Sequence, residues 1–206
     1  HQGPAMKIAI IDYGAGNLPS VERAFRLLGA ETERVTAPEQ FRSAEAIVLP
    51  GVGHFSALVA GLRERNLTSA LRAAIDSRVP VLGICLGLQA LFASSEEAPG
   101  ELGLDLIHHQ VKALPKDVKS PHIGWNQVRP LRPGILLRGI AGDTYFYFAH
   151  SYAAAICDPY TAAVCDHGFP FAAVIEHDNL LAVQFHPEKS GEAGAAILRN
   201  FVEWAR

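Results

Sequence analysis

One stretch of this chain constrains its architecture more than any other. Val79-Pro80-Val81-Leu82-Gly83-Ile84 is a short apolar run suited to a buried parallel strand. Leu86 to Phe92, with leucines at 86, 88 and 91, reads as the opening turns of a helix. Cys85 stands at the junction, with Gly83 two residues before it and Gly87 two residues after. A strand that turns sharply into a helix belongs to an α/β architecture, and a nucleophile at such a turn forms an elbow, here with cysteine where hydrolases often carry serine. The turn strains its central residue, so its flanks must be small. It also sets the sulfur against the free N–H groups of a helix N-terminus, which favours the thiolate. The N–H of Leu86 can then face an oxyanion. The bland alternative is a buried structural cysteine between packing glycines; the spacing favours the elbow.

The segments before Cys85 alternate strand and helix. Strands are expected at Lys7–Asp12, Thr32–Thr36 and Ala46–Leu49, and helices at Pro19–Leu28, His54–Arg65 and Thr68–Ser77. This order predicts an α/β fold with a mostly parallel, twisted central sheet flanked by helices and joined by right-handed crossovers. Gly14-Ala15-Gly16 is not a dinucleotide fingerprint, because the third glycine of that pattern would fall at Pro19. Gly51-Val52-Gly53 follows a strand, on the edge where open α/β sheets place their sites, and its peptide planes can rotate cheaply. His54 reads as a helix-start residue.

After the polar loop expected at Ser94–Gly100, the character changes. Ile107–Ala113, Trp125–Val128, Thr144–Ile156, Thr161–Cys165 and Phe171–Glu176 read as consecutive strands, predicting antiparallel hairpins added to one side of the sheet. Pro121-His122-Ile123-Gly124-Trp125-Asn126 reads as a polar–aromatic loop, in which Trp125 suits a contact surface as well as a core. Leu180–Phe185 is a final buried strand leading into His186-Pro187-Glu188, with Ser190 placed to cap a last helix through Ile197, Leu198, Phe201 and Val202. Proline keeps His186 extended, and in extended chain residues i and i+2 share a side, so Glu188 can orient the imidazole. A cysteine nucleophile requires such a base and orienter.

Composition narrows the functions open to such a fold. At 206 residues the chain is expected to form one domain over 6–206, with His1–Ala5 set aside as a cloning scar ahead of the only methionine, Met6. A net charge of −3 gives no electrostatic footprint for nucleic acid or anionic membrane. No apolar run approaches the roughly 18 residues that span a bilayer. Three cysteines without a C-x-x-C pair suit a reducing, cytoplasmic setting, with Cys157 and Cys165 as structural thiols.

Gly83-Ile84-Cys85-Leu86-Gly87 followed by His186-Pro187-Glu188 resembles the triad glutamine amidotransferases. Asp12-Tyr13-Gly14-x-Gly16-Asn17-Leu18, Pro50-Gly51-Val52-Gly53, Pro121-His122-x-Gly124-Trp125-Asn126, His150-Ser151-Tyr152 and Phe185–Ser190 are similar to the pattern of the glutaminase subunit of imidazole glycerol phosphate synthase. Ala15 and Ile123 stand where many members carry methionine. The resemblance implies a class I glutamine amidotransferase-like, flavodoxin-like fold, and a catalytic triad of Cys85, His186 and Glu188. It implies an oxyanion hole from Leu86 and the Gly51, Val52 and Gly53 loop, and glutamine contacts at Gln89, Ser151 and Tyr152. It further implies a (β/α)₈-barrel partner in a heterodimer, met by Trp125, Asn126, Tyr147 and Lys189, and no metal or organic cofactor. The alternatives are a glutaminase subunit of another ammonia-channelling synthase, such as the pyridoxal phosphate synthase type, and a stand-alone cysteine hydrolase. A non-catalytic module that keeps only the fold is a further one.

Overall fold

A computed structural model describes residues 3–206; His1 and Gln2 of the expected scar lie outside the described residues. The elements run β1 (Lys7–Ile11), α1 (Leu18–Arg26), β2 (Glu31–Val35), a 3₁₀ turn (Pro38–Ser43), β3 (Ala46–Leu49), α2 (Phe55–Glu64), α3 (Leu67–Asp76), β4 (Val81–Ile84) and α4 (Leu86–Gln89). They continue with β5 (Phe92–Ser95), β6 (Ile107–Ala113), β7 (His122–Gln127), β8 (Arg129–Pro130), β9 (Tyr145–His150), β10 (Tyr152–Ala153), β11 (Thr161–Asp166), β12 (Pro170–His177), β13 (Leu180–Val183), a 3₁₀ turn (Pro187–Lys189) and α5 (Gly191–Ala205).

The main sheet has the order β2-β1-β3-β4-β13-β12-β11-β8. Its first five strands are parallel, and β12, β11 and β8 extend one side antiparallel, as the sequence pattern predicts. The parallel strands β3, β4 and β13 are buried at every position. Such strands are covered on both faces and need no polar alternation. Within β1, Ile8 and Ile10 join the layer of α1 and α5, while Ala9 and Ile11 join that of α2 and α3. Phe25 of α1 meets Phe201 of α5 edge to face at 6.5 Å, and both are fully buried. Truncating either to alanine costs about 3–5 kcal/mol. No helix among the described residues is long and apolar enough to cross a membrane.

Four sequence expectations need correction. The helix after Cys85 is a single turn, because the carbonyls of Ala90 and Leu91 are taken by the amides of Leu104, Leu106 and Ile107, and Phe92 enters β5 to pair with Ile107. Ser94 and Ser95 therefore belong to that strand rather than to a loop, and Ser95 is fully buried. Pro121–Asn126 is no loop: His122–Asn126 lies in β7, which pairs along its whole length with β9. The expected strand Thr144–Ile156 breaks at Ser151, where the chain leaves β9's ribbon and β10 pairs with β6.

Candidate active site

Cys85 occupies the turn between β4 and α4 with φ 55° and ψ −108°, a left-handed conformation that strains any residue with a Cβ. The surrounding glycines leave room for no side chain. A Cβ on Gly87 would stand 1.9 Å from the carbonyl oxygen of Leu49, and one on Gly51 would stand 2.6 Å from the Cβ of Leu86. The β3 end, the Gly51 loop and the elbow are thus in backbone contact. The turn sets Leu86 in the first turn of α4, where N–H groups have no intrahelical acceptor.

Parallel pairing brings the base to the nucleophile. Ile84 lies opposite Val183 in register, and the Cys85 amide donates to the Val183 carbonyl at 2.8 Å. The chain beyond Val183 runs out of the same sheet edge and reaches His186. Its Nδ1 lies 2.6 Å from Oε1 of Glu188, with both side chains almost fully buried. That contact is made by the Pro187–Lys189 3₁₀ turn rather than by the pleat of an extended chain, a second route to the same pairing. Glu188 Oε2 has no hydrogen-bond partner among the described residues, so the imidazole is the one group there that the carboxylate holds. With Nδ1 engaged by Glu188, the other ring nitrogen is left for the sulfur. Burial disfavours the imidazolium, but hydrogen bonds to the Cys85 and Glu188 side chains, and the charges of both, outweigh it and push His186 up to about 10. The site thus favours the protonated ring. Ser190 stands at the N-cap position of α5, yet its hydroxyl donates to the His186 carbonyl at 2.6 Å and accepts from the Tyr147 amide at 3.0 Å instead of capping the helix.

A cavity of about 230 Å³ opens over the sulfur. Its wall brings together Cys85, His186, Leu86, Val52, Gly53, Gln89, Ser151, Tyr152 and Lys189 from the sequence reading. Gly51 lies behind the loop, against Leu86 and Gly87. Three lining residues escaped the sequence reading: Glu97, Ala149 and His150. The Glu97 carboxylate accepts from the Phe55 amide at 2.7 Å and puts negative charge in the wall; its signal, a glutamate in a polar run, was indistinct. A hollow of about 280 Å³ over β1 and β2, bordered by Lys7, Thr32 and Ser43, contains no nucleophile paired with a base.

Behind the pocket runs a line of buried polar groups. Asn126 Nδ2 donates to His122 Nε2 at 3.3 Å, the His122 and His150 rings meet at 2.9 Å, and His150 Nδ1 donates to the Tyr152 carbonyl at 3.0 Å. Burial, together with the neighbouring imidazoles, lowers His122 to about 3. Burial likewise lowers His150 to about 4, against the pull of the Tyr152 carbonyl. Both rings are neutral at pH 7, and each has one proton to give. On the outer face of β7, Trp125 is 55% exposed and packs edge to face on Tyr147 at 6.0 Å. Trp125, Asn126 and Tyr147 do not line the pocket; they lie on the β7–β9 ribbon beside it.

A cysteine elbow, a histidine–glutamate pair beyond the adjacent parallel strand and a small cavity over the sulfur bring a nucleophile, a base and its orienter together at one sheet edge. The family model for glutamine amidotransferase class-I matches residues 9–204, and the chain belongs to that family. The chain is 48% identical over 200 residues to the imidazole glycerol phosphate synthase subunit HisH of Moorella thermoacetica, covering 97% of this chain and 95% of that one. It is 50% identical over 202 residues to the HisH subunit of Methanothermobacter thermautotrophicus, covering 97% and 99%. Within the family it stands with these HisH subunits. Among solved structures, PurLQS from Thermotoga maritima shares the fold with a TM-score of 0.78 at 15% identity, covering 98% of this chain and 100% of that one.

Proposed function

We propose that this chain hydrolyses L-glutamine to glutamate and ammonia, as the glutaminase subunit of an imidazole glycerol phosphate synthase in histidine biosynthesis. The observation that carries the reading is the Cys85–His186–Glu188 arrangement at the floor of a cavity sized for a small amino acid. The Cys85 thiolate, its proton held by His186, attacks the side-chain amide carbon of glutamine. The resulting oxyanion is held by the Leu86 N–H and, once a peptide of the Gly51-Val52-Gly53 loop turns, by an amide of that loop. Losing one such donor costs roughly 100- to 1,000-fold in rate. His186 then gives its proton to the departing nitrogen, the C–N bond breaks and ammonia leaves a γ-glutamyl thioester. Water attacks that thioester, returning the thiol and releasing glutamate. Gln89, Ser151 and Tyr152 hold the substrate, and Glu97 suits its ammonium group. None of these steps calls for a metal or organic cofactor.

Residues 6–206 act as one unit. Trp125, Asn126, Tyr147 and Lys189 meet a (β/α)₈-barrel subunit in a cytoplasmic heterodimer, into which the ammonia passes to make imidazole glycerol phosphate and an aminoimidazole carboxamide ribotide. Ammonia release from glutamine by the wild type and Cys85→Ala, each with and without a barrel subunit, tests the reading. Release is expected to be low for the isolated chain, to rise sharply with partner and ribonucleotide, and to vanish in Cys85→Ala. Equal turnover with and without partner overturns the partner-gated reading in favour of a stand-alone hydrolase. Release that survives Cys85→Ala overturns the nucleophile.

A further inference from the structure

The sulfur of Cys85 has a partner that neither the elbow nor the His186–Glu188 pair accounts for. Gln184, the second residue before His186 and fully buried, places its Nε2 at 3.5 Å from Cys85 Sγ. Among the described residues the sulfur's only other polar contact, besides His186, is the Ala149 carbonyl at 3.9 Å, an acceptor that suits a thiol and not a thiolate. Gln184 is the donor.

Which end of its amide faces the sulfur follows from the neighbours. Gln89 Nε2 makes two contacts, to the Tyr152 carbonyl at 2.9 Å and to Gln184 Oε1 at 3.1 Å, which use both of its amide hydrogens. A flipped Gln184 would set two NH₂ groups against each other. The Tyr152 carbonyl in turn accepts from His150, whose other nitrogen accepts from His122, whose other nitrogen accepts from Asn126. The histidine line and Gln89 both donate to the Tyr152 carbonyl, and that acceptor fixes the Gln89 amide with its NH₂ toward Tyr152 and Gln184. Gln184 is not part of the cavity wall.

Resting on the glutaminase reading for its role in turnover, we propose that Gln184 is a further catalytic residue. Its Nε2–H donates to Cys85 Sγ and holds the sulfur charged and aimed before attack. The donor keeps its proton throughout; no bond to it forms or breaks. A hydrogen bond to a charged group is worth roughly 10- to 100-fold in an equilibrium or rate.

Two variants test this. Gln184→Leu keeps the volume and removes the donor; Gln184→Met keeps the length of the side chain and offers the sulfur no N–H or O–H. Alkylation of Cys85 by iodoacetamide, followed on the Cys85 peptide by mass spectrometry from pH 5 to 9, reads the thiolate without any need for glutamine. Glutaminase kinetics in complex with the barrel subunit read the role in turnover. In both variants alkylation at the acid end is expected to fall roughly 10- to 100-fold, converging with wild type at the alkaline end. The kcat is expected to fall by a similar factor, and any change in KM reads the separate loss of the Gln184 Oε1 contact that holds Gln89 in the cavity wall. Alkylation profiles superimposable on wild type overturn the proposal, whether or not kcat changes, since a loss of kcat alone would give Gln184 a packing role. Should Gln184→Leu fail to fold, the flexible Gln184→Met decides alone. Should wild type release no ammonia at all, the glutaminase reading fails while the alkylation profiles still decide whether Gln184 charges the sulfur.

Discussion

The backbone amide of His186 donates to the carbonyl of Tyr147 at 2.9 Å, so the ring that faces the sulfur hangs from the same strand that carries the exposed aromatic ribbon. A partner that seats on Trp125 and Tyr147 has direct backbone purchase on the loop bearing the base. Exposed aromatic side chains of this kind act as binding anchors worth about 2 kcal/mol or more when truncated. Trp125→Ala is expected to weaken the barrel complex by roughly 30-fold or more, and to leave the isolated chain's stability within about 0.5 kcal/mol of wild type. Calorimetric titration against the barrel subunit, with urea melts alongside, measures both. Unchanged affinity would remove the ribbon from the interface.

Glu188→Gln keeps a group of the same shape beside Nδ1 of His186 but removes the charge that helps raise the ring to about 10. In the wild type, His186 holds the proton for the leaving nitrogen until pH rises through about 10, so the alkaline limb of the rate profile is expected there. In Glu188→Gln that limb moves toward neutral pH, and kcat falls roughly 100-fold. A limb that stays in place assigns the titration to another group.

Gly87→Ala is expected to be the most damaging methyl at the elbow. It would lie 1.9 Å from the Leu49 carbonyl, where backbone rather than a side chain must yield. Overpacking of this kind costs about 1–3 kcal/mol or more, and any relief must move the elbow away from the Gly51 loop. Urea midpoints are expected to drop and Cys85 labelling by a glutamine-analogue electrophile to be lost together. Full labelling with normal stability would show that the approach is looser.

Stability is expected to fall on the acid side of neutrality. His122 and His150 are lowered to about 3 and about 4 in the fold, against about 6.5 in an unfolded chain. Between those values the unfolded chain binds more protons, so stability is full above about 6.5 and is lost as pH falls toward the folded values. The loss at pH 5 is on the order of 1–2 kcal/mol per ring. His186 is shifted the other way: its contribution is whole below about 6.5 and is lost as pH rises through about 10, so it leaves the acid limb alone. Urea denaturation at pH 7 and pH 5 measures the slope, and His122→Leu should flatten it. A slope unchanged in that variant would place the acid sensitivity elsewhere.

Much of this was legible in the residues. The parallel half of the sheet could be read because buried strands such as Ala46–Leu49 are continuous apolar runs and their helices keep a helical period. The elbow could be read because its glycines are forced by backbone contacts. The first half of β7, ahead of the strand expected from Trp125, was hidden because the positions it turns inward are His122, Gly124 and Asn126 while Ile123 and Trp125 face out, which inverts the usual alternation. The short α4 was hidden because what ends it, the amides of Leu104 and Leu106, comes from a loop with no sequence mark of its own. Gln184 and the two neutral histidines were hidden for a related reason. A buried polar residue announces itself only through its partners, and those partners are scattered along the chain.

The strand that carries Gln184 toward Cys85, β13, lies in the middle of the sheet, between β4 and β12, though it is the last to be synthesised. The sheet is therefore closed from within, and until that closure the cysteine has neither an imidazole nor an amide beside it. A growing polypeptide on the ribosome thus lacks the base that the proposed hydrolysis needs, and is expected to leave glutamine intact until β13 is in place.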